Sequence, residues 1–158
     1  MFFSNYCSFL YENIMMDLDI AKTELYEEKL TLSIVKNGTI LYSTKSHQIS
    51  GFLDAIDKCG KKLEGASMAD RVVGKAIALL CAYAKINKVY ANILSRKAIE
   101  IFKKNKIEIQ GKELVDNILD AGKTKMCPFE RAAAEISDPE KGYRVFKQLR
   151  ENLKKFEY

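Results

Sequence analysis

Apolar positions change period several times along the chain, and each change marks an element. From Leu30 to Ser43 they fall into two short extended stretches joined by Asn37-Gly38. That dipeptide tolerates the positive φ angles of a type I′ turn, so a β-hairpin is predicted. Upstream, Met16 followed by Asp17, a good N-cap residue, opens a predicted helix through Glu28. Downstream, Ser50 stands in a capping position, and Phe52, Leu53, Ile56, Cys59 and Leu63 form a helical stripe that ends near Gly65. The next predicted helix starts at Ser67-Met68-Ala69-Asp70, a capping-box-like sequence. Val72, Val73 and the run from Ala76 to Tyr83 leave it almost no polar face, so it is expected to be buried on most sides.

Residues 88 to 94 read as a buried strand, Ser95 caps a short amphipathic helix reaching about Lys104, and a further strand follows at Ile107 to Ile109. Strand, helix and strand at these lengths imply a right-handed parallel crossover. Beyond a loop at Ala121 to Met126, Pro128 occupies the first position of a helix reaching Ile136. The final helix begins after Ser137-Asp138-Pro139. Its buried stripe is Tyr143, Phe146, Leu149, Leu153 and Phe156, and its solvated face is Lys141, Arg144, Lys147, Arg150, Lys154 and Lys155. This order predicts an α/β fold in which a mixed sheet of about four strands lies between two helical layers.

The chain has 158 residues, enough for one domain with its own core. Apolar residues make up 47% and charged residues 30%, and no apolar run approaches the roughly 18 residues of a membrane helix. A net charge of +5 is too mild to predict a nucleic-acid partner. The cysteines Cys7, Cys59, Cys81 and Cys127 are widely spaced, without a disulfide or zinc pattern, which fits a reducing cytoplasm. No Lys or Arg precedes Lys22, so no export signal is expected. Residues 1–15 stand apart. They hold Phe2, Phe3, Tyr6, Phe9 and Tyr11 with Glu12 as the single charge, a pattern for an N-terminal docking segment or an upstream start ahead of a domain at 16–158.

Two places have residues suited to chemistry. In the segment from Ser67, positions 67, 71 and 75 would share a helical face, with 70 and 74 on the next. Free N–H groups at a helix start favour an anion such as phosphate, Lys75 would add charge, and Gly74 would admit a close approach. Ser67, Asp70, Gly74 and Lys75 are therefore candidate ligand-binding residues, with ordinary capping, a snorkelling Arg71 and helix packing at Gly74 as the structural alternative. Cys127 precedes a Pro-initiated helix, with Lys123 and Lys125 nearby, a setting that favours the thiolate and so a nucleophile. Asp70, Lys75 and Cys127 are the candidate catalytic residues, and a small apolar Cys127 is the alternative. His47, the single histidine, reads as a surface loop residue. Arg96, Lys97, Lys103, Lys104, Lys106 and Lys112 alternate with Glu100, Glu108 and Glu113, the pattern of a solvated surface. No Walker, Gly-x-Gly-x-x-Gly or Gly-x-Ser-x-Gly motif occurs, and no cofactor is expected.

Four blocks together, Met16-Asp17-Leu18-Asp19-Ile20-Ala21-Lys22, Val35-Lys36-Asn37-Gly38, Gly65-Ala66-Ser67-Met68-Ala69-Asp70-Arg71-Val72-Val73-Gly74-Lys75-Ala76 and Met126-Cys127-Pro128-Phe129-Glu130, resemble a small family of domains of unknown function with a cytidine-deaminase-like fold. The resemblance runs from residue 16 to about 150, with the Gly-Ala-Ser block its specific part. It implies a three-layer α/β/α sandwich and a domain start at Met16. Zinc deaminases carry a His or Cys with Ala-Glu at one helix start and Pro-Cys-x-x-Cys at the next. The matching positions here are Ser67-Met68-Ala69-Asp70 and Ser95-Arg96-Lys97-Ala98, and all three metal ligands of the zinc deaminases are missing. The expected function is accordingly binding of a nucleotide-like or phosphorylated small molecule near Ser67, without zinc. An enzyme using Cys127 with Asp70 or Glu130 as acid/base partner, and a homo-oligomeric interaction module, are the alternatives.

Overall fold

The computed structural model describes residues 16–47 and 49–156. The docking segment expected at residues 1–15 lies outside the described residues. The chain forms α1 (16–27), β1 (Leu32–Lys36), β2 (Thr39–Thr44), α2 (Ser50–Cys59) with a 3-10 turn at Gly60–Leu63, β3 (Ser67–Val73), α3 (Lys75–Ala84), β4 (Lys88–Ser95), α4 (Arg96–Lys104), β5 (Glu108–Val115), α5 (Pro128–Ala133) and α6 (Pro139–Lys154). The sheet order is β2-β1-β3-β4-β5. Strand β1 is antiparallel to β2 and β3, whereas β3, β4 and β5 are parallel. The hairpin turns on Asn37 and Gly38, both at positive φ, as a type I′ turn requires.

The main correction concerns residues 67–73. They form the central strand β3, not a helix, and this is the fifth strand that the expected four lacked. Ser67, Met68, Ala69 and Asp70 are all buried between β1 and β4. A short apolar run reads alike as buried strand or buried helix, and the pairing partners on both sides decide for strand. The helix begins only at Lys75, with Gly74 as its N-cap. Smaller differences have similar causes. The N-cap of α2 is Ile49, not Ser50. Asp17 lies inside α1, and its carboxylate accepts the Asn37 and Gly38 amides at 2.8 Å each, tying α1 to the hairpin turn. Strand β5 runs on to Val115, and α5 stops at Ala133. Ser95 and Asp138 cap α4 and α6 as expected, accepting from the Ala98 and Lys141 amides.

Side chains alternate across the sheet. Val35, Ala69 and Tyr90 face α1, packing with Leu18, Ala21 and Leu25. Ile34, Met68, Val89 and Ala91 face the other way into the larger core, where Phe52, Leu79, Phe102, Phe129 and Phe146 come from α2, α3, α4, α5 and α6. The result is the expected three-layer α/β/α sandwich, with α1 alone forming one outer layer. The stripe of α6 ends early, because Leu153 is partly exposed and Phe156 is 86% exposed. Arg150, expected on the solvated face, is instead buried. Its guanidinium meets Asp54 at 2.8 Å and Asp57 at 3.4 Å, joining α6 to α2. Both carboxylates are partly exposed, which tempers the interaction. Arg150→Ala is expected to lower stability by about 1–2 kcal/mol through lost stem packing and pairing. Urea unfolding checks this, and an unchanged midpoint would show that water replaces the pair without loss.

Candidate functional site

A cavity of about 780 Å³ opens beyond the carboxyl end of β3, where open α/β sheets generally place ligands. The antiparallel β1 brings Leu32 there, opposite Asp70 in the register. The exit from β2 supplies Lys45, Ser46 and His47, and α2 contributes Phe52. The first turn of α3 provides Ala76 and Ile77, and α5 provides Phe129 and Glu130. The segment after β5 closes the remaining side with Ile118 to Ala121. That segment is held by a bridge between Leu119 and Met126 and by the Asp120 amide donating to Lys125 O at 2.7 Å.

Asp70 is a buried acid in the cavity wall. Burial pushes its carboxyl from 3.8 up to about 7, opposed by the amides of Val72 and Arg71, which favour the charged form. The Val72 amide donates to Oδ1 at 3.0 Å. Arg71 is not its counter-ion. Arg71 reaches the opposite face of the sheet, where its guanidinium donates to Leu30 O and Leu25 O and lies 5.5 Å from the centre of the Tyr26 ring. Burial, and then the charge of Asp70, also push the Cys81 thiol up.

Glu130 fills the place that sequence reasoning reserved for an external anion. Its Oε2 accepts the Lys75 amide at 3.1 Å and its Oε1 the Ala76 amide at 2.9 Å, so a carboxylate from α5 caps α3. Gly74 permits this approach. A Cβ at residue 74 would lie 2.8 Å from Glu130 Oε2 and closer still to Oε1 and Cδ.

Of the residues singled out from sequence, Asp70, Gly74 and Cys127 line this one cavity together with Glu130. Ser67 and Lys75 do not. Ser67 lies at the far end of β3, three residues from Asp70 in the wall and so about 10 Å away at about 3.3 Å per residue. The Lys75 side chain turns to Ala134 O, 3.1 Å from Nζ, at the end of α5. His47 is exposed, as expected of a loop residue, yet with Lys29 and Lys45 it contributes positive or protonatable groups to the cavity wall. Nothing in the sequence distinguished these lysines from other surface lysines. The helix starts after β3 and β4, Gly74-Lys75-Ala76 and Ser95-Arg96-Lys97, hold no metal-ligand residues. Among the described residues no group of three His, Cys, Asp or Glu side chains is placed to hold a metal ion, so the residues do not fit the zinc site of deaminases. Nor, among them, is any helix long and apolar enough to cross a membrane.

The crystal structure of a DUF1893 family protein (TM1506) from Thermotoga maritima is similar, with a TM-score of 0.76, 24% identity, and coverage of 84% of this chain and 88% of that one. A dCMP deaminase from the cyanophage S-TIM5 gives a TM-score of 0.46 at 18% identity, covering 63% of this chain and 97% of that one. A diaminohydroxyphosphoribosylaminopyrimidine deaminase/5-amino-6-(5-phosphoribosylamino)uracil reductase from Thermotoga maritima gives 0.41 at 20% identity, covering 78% and 40% of the two chains. No curated protein matches the sequence. The profile of the TM1506 domain of unknown function (DUF1893) matches residues 20–149, and the chain belongs to that family.

Proposed function

We propose that the cavity beyond β3 binds a nucleotide-like, phosphorylated small molecule, with the ring inside and the phosphate at the mouth. The observation that carries this reading is a buried carboxyl, Asp70, in the wall of a cavity that also has two aromatic side chains, Phe52 and Phe129, and the cations Lys29 and Lys45. Small-molecule sites have this composition, a mostly apolar lining with a few placed polar groups. The amides at the start of α3 already serve Glu130, so the phosphate is assigned to Lys29 and Lys45, with His47 beside them. Titration calorimetry with nucleoside monophosphates tests this. Binding is expected, and Lys29→Ala with Lys45→Ala together should weaken it about tenfold, equivalent to about 1.4 kcal/mol. Absence of binding by every nucleotide, or binding indifferent to both lysines, would reject it.

Cys127 supports a second reading, a thiol-dependent enzyme, because it lines the same cavity as Asp70. Alkylation of intact protein by chloroacetamide, followed by mass spectrometry, separates the two. Fast modification at Cys127 that a nucleotide blocks would favour a nucleophile, and modification no faster than that of the unfolded chain would count against one.

A further inference from the structure

We propose that Asp70 selects the ring of the bound ligand, and that it takes a two-donor edge, a ring N–H beside an exocyclic amino group, as in guanine-type heterocycles. The inference rests on the nucleotide-like reading of the cavity and names the ring class.

Three observations support it. Asp70 is 9% exposed, lines the cavity, and has no ion-pair partner among the described residues. Its carboxyl is oriented by its own strand, since the Val72 amide holds Oδ1 at 3.0 Å, so its direction does not wait for the ligand. The other two acids of the wall are engaged elsewhere: both Glu130 oxygens accept α3 amides, and Asp120 Oδ1 accepts the Thr124 amide of its own loop. An ionised carboxylate is an acceptor only, with about four lone-pair sites on two oxygens. Backbone amides serve one side, and the walls from α2, α3 and α5 offer Phe52, Ala76, Ile77 and Phe129, none with a side-chain donor. The remaining acceptor capacity is met by the ligand.

Two parallel N–H groups match two carboxylate oxygens in a bidentate, charge-assisted pair. A ring edge that presents one donor beside an acceptor sets a lone pair against the carboxylate, unless the carboxyl is protonated. Sites that hydrogen-bond a polar ligand group discriminate strongly against the analogue lacking it. Lys29, Lys45, His47 and Asp120 line the same cavity, Glu130 reaches it from α5, and Cys81 is the titratable group of α3 that Asp70 influences.

The test compares GMP with IMP, which differ in that exocyclic amino group alone, by calorimetry on the full chain at pH 8, where Asp70 is mostly ionised. GMP is expected to bind at least tenfold more tightly than IMP. Asp70→Asn should remove that preference, bringing the GMP to IMP ratio to within about threefold, and a cooperative urea transition shows that the variant is folded. Should the variant not fold, the GMP to IMP ratio of the parent decides alone. Equal affinities that still depend on Lys29 and Lys45 would overturn the ring assignment and leave the nucleotide reading intact. Failure of every nucleotide to bind would overturn both.

Discussion

Replacing Asp70 with asparagine is expected to make the protein more stable than its parent above pH 7 and to remove much of its loss of stability between pH 4 and 7. Burial holds the Asp70 carboxyl at about 7 in the folded chain, against 3.8 for an unhindered aspartate. Below pH 3.8 both folded and unfolded chains carry the proton, and the group has no effect on the balance. Between those values the folded chain keeps the proton that the unfolded chain has released, so rising pH draws the equilibrium toward unfolding. Above about 7 both forms are ionised and the full penalty stands. At 1.36 kcal/mol for each tenfold change in proton affinity, it is on the order of 4 kcal/mol. Asparagine keeps an oxygen for the Val72 amide and does not titrate. Urea unfolding of parent and variant at pH 5, 6, 7 and 8 checks this as a difference, which cancels His47, Asp120, Glu130 and the other groups common to both. The burial-raised thiol of Cys81 titrates above this window. Parallel pH profiles would show that Asp70 is solvated well enough to keep an ordinary acidity. A carboxyl held at this cost, where an alanine would fit the sheet, is the kind of perturbation that concentrates at functional sites.

The elements legible in the sequence were those with local causes. The Asn37-Gly38 turn, the Ser95 cap and the Asp138-Pro139 start need only a few neighbouring residues, and each stands where the pattern placed it. Strand β3 was not legible by the same means. Ser67-Met68-Ala69-Asp70 satisfies the local rule for a helix start, but its backbone pairs with β1 and β4, strands that lie 30 or so residues before it and 20 or so after it. The β-branched pair Val72-Val73 ahead of Gly74 was the available sign of a strand ending there. Long-range polar contacts were equally hidden. Asp17 serves the turn at Asn37-Gly38, Arg150 reaches Asp54 and Asp57, and Glu130 caps a helix that begins 55 residues earlier. Asp70 and Gly74 were singled out for a helix geometry that does not exist and Cys127 for a helix start that does, and all three meet in one cavity because β3, the start of α3 and the start of α5 converge at the same end of the sheet.

That convergence depends on the absence of a side chain at residue 74, and Gly74→Ala is expected to destabilise the fold by about 2 kcal/mol. The backbone there, at φ −105° and ψ −170°, is extended and open to any residue, so the requirement is for space and not for conformation. An added Cβ would fall on the Glu130 carboxyl, which would have to leave the Lys75 and Ala76 amides. Two charge-assisted hydrogen bonds at the positive end of α3 would be lost, and a largely buried carboxylate would be left without donors. Glu130→Ala should produce a loss of similar size by emptying the cap. The two changes are not expected to add, because once the carboxylate is gone the methyl group at residue 74 meets no obstacle. In the Glu130→Ala background, Gly74→Ala should therefore cost less than about 0.5 kcal/mol, giving a coupling energy of about 1.5 kcal/mol in a double-mutant cycle. Urea unfolding of the four proteins measures it. Additive losses would mean that Gly74 acts through some contact other than Glu130, and the self-capping of α3 would then not explain why a glycine stands there. A coupled result would tie the cavity wall to the start of α3. It would also account for the phosphate being assigned to Lys29 and Lys45, since the amides that would otherwise receive it are held by the protein's own carboxylate.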